Sequence, residues 1–407
     1  MNNATNNATN NATNNAITAG AWISGSDAPE KTHLTIGFMP LTDCASLILA
    51  CELGLDKKYG LNITLSREAS WSALRDKLVL GELDAAHSLY SMIYGTHLGL
   101  GNLQKNPMAI LMGLNHNGQA ITLSNQLRDQ GVTNGTTLKR QTDKNQRQLT
   151  FAHTYPTGTH AMWLYYWLAA HDINPLTDVQ TVAVPPQHMG SIMRCGDLDG
   201  FCGGEPWNAR AIHEDTGFTA MTSQAIWNDH PEKVLATRYS FIERYPKTAR
   251  ALISALLEAS RHADTYRHKE DFAALIIEKA NIDAPAQLVA QRMTGRYENG
   301  LGKIWQDKYP LKFFDDGQVN YPHYAHGVWF LTQFYRWGLL EQEPDYLAVS
   351  KEINQVPLYC EVARYLGVSI PEPVSSITLF DGIKFDSASA SAYSNHFSIR
   401  ARETAAI

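Results

Sequence analysis

The sequence predicts an α/β protein of two lobes with a ligand cleft between them. From Thr32 onward, short apolar strand-like segments alternate with segments of helical periodicity, which is typical of largely parallel sheets. The chain has 407 residues, too many for one compact core. A polar stretch at about residues 125–148 interrupts the pattern, and the later alternation leads back again. One lobe is therefore expected to be left and then re-entered.

The segment before the polar stretch contains five predicted strands and two predicted helices. Gly54 and Gly81 each follow a helical pattern, and a glycine at that place is a helix stop signal. The strands are Leu34–Met39, Leu61–Ser66, Asp84–Leu89, Met108–Leu114 and Ala120–Ser124, and the helices are Cys44–Leu53 and Trp71–Leu80.

The segment after the polar stretch repeats the alternation and then becomes mostly helical. The predicted strands are Thr150–Thr154, Val179–Val184 and Gly200–Gly203, with Lys233–Ser240 leading back to the first lobe. The predicted helices are His160–His171, Gln187–Arg194, Thr248–Tyr266, Phe272–Ala280, Ala286–Met293, Val328–Trp337 and Val356–Leu366.

These patterns divide the chain into four parts. Lobe 1 is predicted at residues 31–128 and 241–370, and lobe 2 at residues 129–240. Residues 1–30, which contain a tandem NNAT repeat, are expected to form a disordered tail. Residues 371–407 are expected to be a C-terminal extension that wraps the surface without a core of its own. A two-lobed body binds its ligand between the lobes and traps it by hinge closure.

Composition excludes several functional classes. The formal net charge of −6 argues against general affinity for nucleic acid or anionic membranes. The longest apolar runs are too short to span a membrane. Five cysteines, an odd number, fit a reducing compartment better than a disulfide framework. Cys195 and Cys202 could pair or bind a metal, but buried inert thiols are the preferred interpretation.

The N-terminal residues bear on localisation. They include neither a basic segment nor an apolar segment of the length that a secretory leader needs, and no early cysteine is available for lipidation. We therefore expect a cytoplasmic protein. The alternative is a periplasmic or inner-membrane-associated protein whose start site is misassigned.

Polar and aromatic groups follow several predicted strands. The clearest is TFAHTYPTGTH, a strand that enters a helix through a glycine turn at Gly158, with His160 in the first helical turn. Free backbone N–H groups and the helix dipole suit a small anion there. Trp71, Gln119 and the Glu205-Pro206-Trp207 turn also follow or begin predicted strands, and such ends line ligand crevices. Taken singly, each could equally be core packing or a satisfied turn.

Signatures of catalysis are weak. The sequence contains no Gly-x-Ser-x-Gly elbow, P-loop, His-Glu-x-x-His pair or dinucleotide fingerprint after a strand. No zinc-ligand spacing is present either. We therefore expect a binding protein and not an enzyme.

Long strings of the sequence carry a more specific signal. They include FMPLTDCASLILACELGL, LSREASWSALRDKLVLGELDAAHSLY, NGQAITLS, DGFCGGEPWNARAI and DHPEKVLATR, together with the Thr150–Ala170 segment. Over roughly residues 30–385 the chain resembles the nitrate/nitrite-binding NrtA–NasS family, which is related to the bicarbonate-binding CmpA. That resemblance implies a type 2 periplasmic-binding-protein-like fold of the ABC-type solute-binding superfamily.

The resemblance also implies a nitrate or nitrite site between the lobes. It implies that Trp71 presents a ring face to the anion, and that Gln119, His160 and Gly158 provide amide, imidazole and backbone donors. Pro186 would form a wall of the site, and Lys233 would supply the compensating positive charge. Bicarbonate-binding relatives are expected to use an acidic residue and a metal ion in this region. The lysine therefore favours nitrate, and no metal or cofactor is expected.

Two functional classes exist within the resembled family. Secreted or lipid-anchored members deliver nitrate to an ABC permease, whereas leaderless members resemble the sensor NasS. A sensor of that kind holds an ANTAR-type RNA-binding antiterminator and releases it when ligand binds, which induces nitrate assimilation. We expect the sensor role, with the substrate-binding component of an ABC transporter as the alternative. Pyrimidine-synthesising relatives share the scaffold, but the cofactor lysine or cysteine cluster of an enzyme is not found here.

Overall fold

A computed structural model describes residues 27–144 and 147–401 and contains two five-stranded sheets. The expected N-terminal tail lies outside the described residues, except for its last four positions. The first part of the chain contributes four strands and four helices before it crosses to the second sheet. These are β1 (His33–Phe38), α1 (Ala45–Glu52), α2 (Leu55–Lys58), β2 (Asn62–Arg67), α3 (Trp71–Leu80), β3 (Ala85–Leu89), α4 (Tyr90–Leu98) and β4 (Met108–His116).

The second part forms all five strands of the second sheet. Its elements are β5 (Gln119–Ser124), α5 (Asn125–Asp129), α6 (Gly135–Lys144), β6 (Leu149–His153), α7 (Thr159–Ala169), β7 (Val179–Ala183), α8 (Pro186–Cys195), β8 (Gly200–Gly204), α9 (Trp207–His213), β9 (Gly217–Thr222) and α10 (Ser223–Ile226).

The third part returns to the first sheet and continues as helices and two hairpins. Its elements are β10 (Pro231–Arg238), α11 (Tyr239–Arg244), α12 (Pro246–Thr265), α13 (Lys269–Ala280), α14 (Ala286–Met293), β11 (Arg296–Glu298), β12 (Ile304–Gln306), α15 (Tyr324–Arg336), α16 (Tyr346–Ile353), α17 (Val356–Tyr365), β13 (Ser376–Thr378), β14 (Lys384–Asp386) and α18 (Ala390–Asn395).

The two large sheets share one topology. The order is β2-β1-β3-β10-β4 in the first and β7-β6-β8-β5-β9 in the second. In each sheet the first three strands run parallel, and the fourth runs antiparallel to both of its neighbours. The antiparallel strands, β5 and β10, are the first strands after each crossing between the sheets. The expected α/β architecture is confirmed, with one antiparallel strand in each sheet.

The predicted lobe boundaries are wrong at both crossings. Strand β5 was assigned to lobe 1 but belongs to the second sheet, and β10 was assigned to lobe 2 but belongs to the first. The first crossing takes only Asn117 and Gly118, with φ of 62° and 85°. A glycine adopts such positive φ values without steric cost, so the chain reverses there with no polar linker. The polar stretch that was expected to cross instead forms α5 and α6 of lobe 2.

The C-terminal extension contributes buried side chains to the core as far as Phe397. Trp329 of α15 donates its indole N–H to the Tyr393 hydroxyl at 3.1 Å. On the side of lobe 2, the Tyr166 hydroxyl donates to Asp381 at 2.8 Å, and the Phe380 N–H donates to the Ile226 carbonyl at 2.9 Å. The extension was expected only to wrap the surface. It instead inserts buried side chains, namely Leu379, Phe385, Tyr393 and Phe397.

The five cysteines are all free thiols. Cys202 is buried in β8, as the preferred interpretation expected, whereas Cys195 is exposed at the end of α8, so that part of the interpretation is wrong. Among the described residues, no helix combines the length and the apolarity needed to cross a membrane.

The edge of the first sheet is covered by a loop that packs directly on its backbone. The Gly113 N–H in β4 donates to the Asn320 carbonyl at 2.9 Å, and the Asn320 amide donates back to the Gly113 carbonyl at 2.9 Å. A Cβ on Gly113 would lie 2.2 Å from the Val319 carbonyl oxygen. The absence of a side chain therefore permits the loop to protect an edge strand that would otherwise expose unpaired backbone groups.

We predict that Gly113→Ala lowers the free energy of unfolding by about 2 kcal/mol, because the methyl group would force a backbone shift in a packed contact. The control is Gly190→Ala in α8, where a Cβ would meet no atom within 4 Å. The control should be neutral or slightly stabilising, because alanine is the better helix former. Urea unfolding followed by circular dichroism measures both variants. Equal stability of the two variants would contradict the close packing at Gly113.

Candidate functional site

A buried lysine lies at the junction of the two lobes. Lys233 is the third residue of β10, and its Nζ is 2.9 Å from Asp43 Oδ2 and 3.0 Å from Glu232 Oε1. All three side chains are buried. Burial opposes charge on each of them, but mutual attraction outweighs it: the pKa of Lys233 is raised, and those of Asp43 and Glu232 are lowered. The cluster therefore contains two carboxylates and one ammonium.

Local backbone structure directs Lys233 inward. It lies opposite Leu89 of β3 and Asn115 of β4, at an irregular register in the β10–β4 ladder. The Lys233 N–H donates to Asn115 Oδ1 at 3.0 Å, and the Asn115 amide donates to the Asn117 carbonyl at 3.0 Å. Asp43 comes from the short 3-10 turn after β1. Asn115 thus ties the strand that carries the lysine to the crossing between the sheets.

Lobe 2 contributes His160 and Gln119 to the same cluster. His160 Nε2 lies 2.8 Å from Gln119 Oε1, and His160 Nδ1 lies 2.5 Å from Thr154 Oγ1. With the amide oxygen as acceptor, Nε2 carries the proton of the neutral ring. Burial lowers the pKa of His160 to about 3. The imidazole is therefore neutral near pH 7.

Glu232 joins the lobes through hydrogen bonds from α7. It accepts from the Thr159 hydroxyl, and from Trp163 Nε1 at 3.0 Å. His160 Nε2 lies 3.5 Å from one of its oxygens, and His230 Nδ1 lies 3.9 Å from the other. Asp43 makes a similar but weaker link, since Gln119 Nε2 is 3.5 Å from its Oδ2. Each carboxylate of lobe 1 is thus in contact with polar groups of lobe 2.

Trp71 lies at the first position of α3, beside the lysine. Ser70 caps this helix by accepting from the Ala73 N–H at 3.1 Å, which fixes the place of the indole. Lys233 Nζ lies 5.7 Å from the Trp71 ring centroid, a cation–π distance. The centroid of the His87 ring is 5.9 Å from that of Trp71, and His87 Nε2 is 2.9 Å from Asp43 Oδ1. Trp71 Nε1 is buried and makes no hydrogen bond to any described residue.

Gly158 and Pro186 lie at helix N-termini on the facing lobe. Gly158 is the N-cap of α7, where a Cβ would lie 2.7 Å from Leu89 Cδ1 of lobe 1. A larger residue would require the Leu89 side chain to move. Pro186 is the first residue of α8, and the next residue, Gln187, donates to the Ala69 carbonyl at 3.2 Å. The structure thus brings all six predicted residues to the junction of the lobes.

The junction presents N–H donors in excess of their partners. The Trp71 indole N–H has none within the described chain, and the Lys233 ammonium has a third N–H besides the two bonded to carboxylates. The first N–H groups of α7 lie at the positive end of an eleven-residue helix. These donors suit a small anion with several acceptor atoms. No group of three described His, Cys, Asp or Glu residues is placed to hold a metal ion.

Three residues of the cluster were not predicted from the sequence. Asp43, Glu232 and His87 surround Lys233 and Trp71. Lys233 was expected to offer its charge to an anion, but two carboxylates already neutralise it, so that expectation needs correction. The acidic residues do occur within the quoted strings, in LTDCA and in HPEKV. A charged side chain next to an apolar strand can indicate a buried charge, although single charged residues are more often exposed to solvent.

Comparison with known proteins identifies the family. A model of the NMT1-like family matches residues 27–277. The chain belongs to this family. Within it, the chain is 36% identical over 397 residues to the nitrate/nitrite binding protein NrtA of a Nostoc strain, covering 93% of this chain and 89% of that protein. It is also 33% identical over 378 residues to a Synechocystis protein named nitrate import ATP-binding protein NrtC, covering 92% of this chain and 56% of the relative.

A solved structure gives the same result for the fold. The periplasmic nitrate-binding protein NrtA from Synechocystis superposes with a TM-score of 0.87 at 35% identity, covering 91% of this chain and all of that chain. The predicted two-lobed, periplasmic-binding-protein-like fold and the resemblance to NrtA are confirmed. As a member of the NMT1-like family, the chain carries its cluster of buried charges between two lobes of that fold.

The buried neutral histidines predict the direction of acid sensitivity. A histidine whose folded pKa is lowered takes up a proton on unfolding, so its stabilising effect is present above pH 6.5 and is lost as the pH falls. For His160 that loss extends from pH 6.5 towards its folded pKa of about 3. We predict that the wild-type protein is less stable at pH 5.5 than at pH 7.5. In His160→Gln the loss should be smaller by about 1 kcal/mol per pH unit below pH 6.

Urea titrations at several pH values check this prediction. The control is His262→Gln, because His262 lies exposed on α12. A pH slope that is the same in His160→Gln as in the control would show that His160 is not held neutral in the folded protein.

Proposed function

We propose that this protein binds nitrate or nitrite between its lobes, as the substrate-binding component of an ABC-type uptake system. The observation that carries the proposal is the convergence of the N–H donors of Trp71, Lys233 and α7 on one buried junction. The similarity to proteins named as nitrate/nitrite-binding supports the same ligand. The sequence leaves the transporter component as the alternative to the sensor, and the relatives favour the transporter component.

In this proposal each residue has a defined role. The Trp71 N–H, the remaining Lys233 N–H and the first N–H groups of α7 donate to the oxygens of the planar anion. Gln119 and His160 contribute side-chain donors if their mutual hydrogen bond rearranges, and Pro186 forms a wall because it has no N–H to donate. Gly158 keeps the α7 N-terminus close to lobe 1. The proposal includes no metal, cofactor or catalytic step.

The relative named as an ATP-binding protein supports ABC partners. Almost the whole of this chain aligns with about half of that relative, so a segment of this type occurs in a chain named as a transport ATPase. We therefore propose an ATPase and a permease subunit as partners. Release of the anion to them would require the lobes to separate, because the residues proposed to bind it are buried.

The sensor role, the ANTAR-type antiterminator partner and the cytoplasmic location stay predictions. Fractionation of the native cells with an antibody to this protein separates the two locations. Capture of an antiterminator without nitrate, and its release on adding nitrate, would favour the sensor. Co-purification with membrane-bound permease and ATPase subunits would favour the transporter.

Isothermal titration calorimetry of the purified protein tests the ligand. We expect nitrate and nitrite to bind at one site per chain. Chloride has no oxygen atoms to accept hydrogen bonds and should bind much more weakly. Bicarbonate with and without Ca²⁺ is the comparison that matters, because bicarbonate-binding relatives are expected to need a metal. Tight bicarbonate binding without nitrate binding would overturn the proposal.

We predict that Trp71→Phe weakens nitrate binding by about tenfold, because the variant keeps an aromatic ring but loses one N–H donor to the anion. Trp337→Phe is the matched control, since Trp337 Nε1 is also buried with no hydrogen-bond partner in the described part of the chain but lies at the end of α15. The control should bind nitrate with unchanged affinity. Equal affinities of the two variants would exclude the indole N–H of Trp71 from the site.

A further inference from the structure

The charges buried at the lobe junction do not balance. Asp43 and Glu232 contribute two negative charges and Lys233 one positive charge, so −2 + 1 leaves −1. Two histidines flank the carboxylates, His160 on one side and His87 on the other, and burial lowers the pKa of each. They are neutral near pH 7. A further anion would therefore enter a site that already carries a net negative charge.

Such a site opposes a second negative charge strongly. The side chains are almost completely shielded from solvent, so water and salt ions screen the repulsion poorly. The Lys233 ammonium alone cannot neutralise the anion, because it already forms ion pairs with Asp43 and Glu232. Proton uptake by a neighbouring group is the direct way to restore the balance, and linkage then couples anion affinity to pH.

We propose that the anion enters this site together with one proton, that His160 holds that proton, and that Asp43 and Glu232 impose the coupling. This inference rests on the proposed function and adds to it. The ligand would be taken up as an anion and a proton, which is electrically neutral overall. Asp43 and Glu232 would also disfavour dianions, which would need a second proton.

His160 is the histidine best placed to hold the proton. Its Nε2 already faces Gln119 Oε1, and its Nδ1 faces Thr154 Oγ1, whose hydroxyl can rotate to accept. Both N–H groups of an imidazolium would therefore have acceptors. The nearest carboxylate, that of Glu232, is 3.5 Å from Nε2. The anion would lie on the same side as these partners and add to the stabilisation of the charged ring.

The other charged and titratable groups around His160 are few. Glu232 and Asp43 favour its protonation, whereas Lys233 and the neighbouring His153 oppose it. His87 is less suitable, because its buried Nδ1 has no hydrogen-bond partner among residues 27–144 and 147–401 and would become an unsatisfied N–H. His230 also has oxygen partners on both nitrogens, at 3.0 Å and 2.7 Å, but lies 3.9 Å from Glu232. The experiment must therefore distinguish His160 from His230.

Calorimetry of the full chain with nitrate, in buffers of different ionisation enthalpy, counts the protons. We expect uptake approaching one proton per nitrate at a pH between the pKa of free His160, about 3, and its raised pKa in the complex. Over this same range nitrate affinity should fall about tenfold for each unit of pH increase, and above the pKa in the complex it should level off. Titrations at pH 5.5, 6.5, 7.5 and 8.5 cover this range.

Two variants test the role of the carboxylates. Glu232→Gln and Asp43→Asn each remove one negative charge with almost no change of shape. In each, proton uptake should fall towards zero and nitrate affinity should become nearly independent of pH. The control is Asp199→Asn, a buried carboxylate directly before β8 that pairs with Arg147. It should keep the proton uptake of the wild type.

Nitrogen NMR of the imidazole rings assigns the proton. With nitrate bound at pH 6.5, one additional ring should show the imidazolium pattern, and His160→Gln should remove it. Removal by His230→Gln instead would overturn the assignment to His160. Nitrate binding without proton uptake at any of these pH values would overturn the coupling while the proposed function stands. Failure of nitrate to bind at all would overturn both.

Discussion

The structure depends on one buried ammonium that two carboxylates share. Lys233 and Glu232 extend from the strand that returns to lobe 1, and Asp43 extends from the turn after its first strand. Each carboxylate oxygen of these acids has a polar neighbour in the junction, including Thr159 and Trp163 of lobe 2. Buried charges are tolerated only when they are paired and hydrogen-bonded in this way. The lobes therefore meet where an unpaired charged group would destabilise the folded protein most.

An aromatic cluster keeps water away from this junction. Trp163 stacks on Trp329 with ring centroids 4.9 Å apart, and it meets Trp227 edge to face at 6.0 Å. Its indole N–H is the donor to Glu232, so one side chain belongs both to the apolar cluster and to the polar network. Because Trp163 lies on α7 and Trp329 on α15, the stacking also joins the two lobes. Low local polarity strengthens the interactions between the charges that it surrounds.

The sequence predicted the elements better than their connections. Apolar and helical patterns located nine of the ten strands of the two large sheets, because short apolar runs between turn signals are a local property of the sequence, but helices α4 and α9 were not predicted. The lobe boundaries were misplaced because a two-residue crossing at Asn117 and Gly118 carries no polar linker to detect. Strand β9 was missed because GFTAMT is short and only partly apolar.

The site divides in the same way. The resemblance selected six residues that the structure brings together, whereas Asp43 and Glu232 gave no comparable signal. A single aspartate in a turn, or a glutamate beside a lysine, is typical of a solvated surface. Only the packing of α7 and Gln119 against them shows that they are buried. The neutral state of His160 has the same origin, because its pKa depends on the surroundings that the fold builds and not on its neighbours in sequence.

The C-terminal extension has a mechanical consequence. The chain crosses between the two lobes twice. Two such connections act as a hinge, so the lobes can rotate about the line that joins them. The extension is anchored to α15 through Tyr393 and bonded to lobe 2 through Phe380 and Asp381. It therefore acts as a third attachment, and a third attachment away from the axis opposes that rotation. For the lobes to swing apart, this segment must either travel with one of them or break its hydrogen bonds to the other.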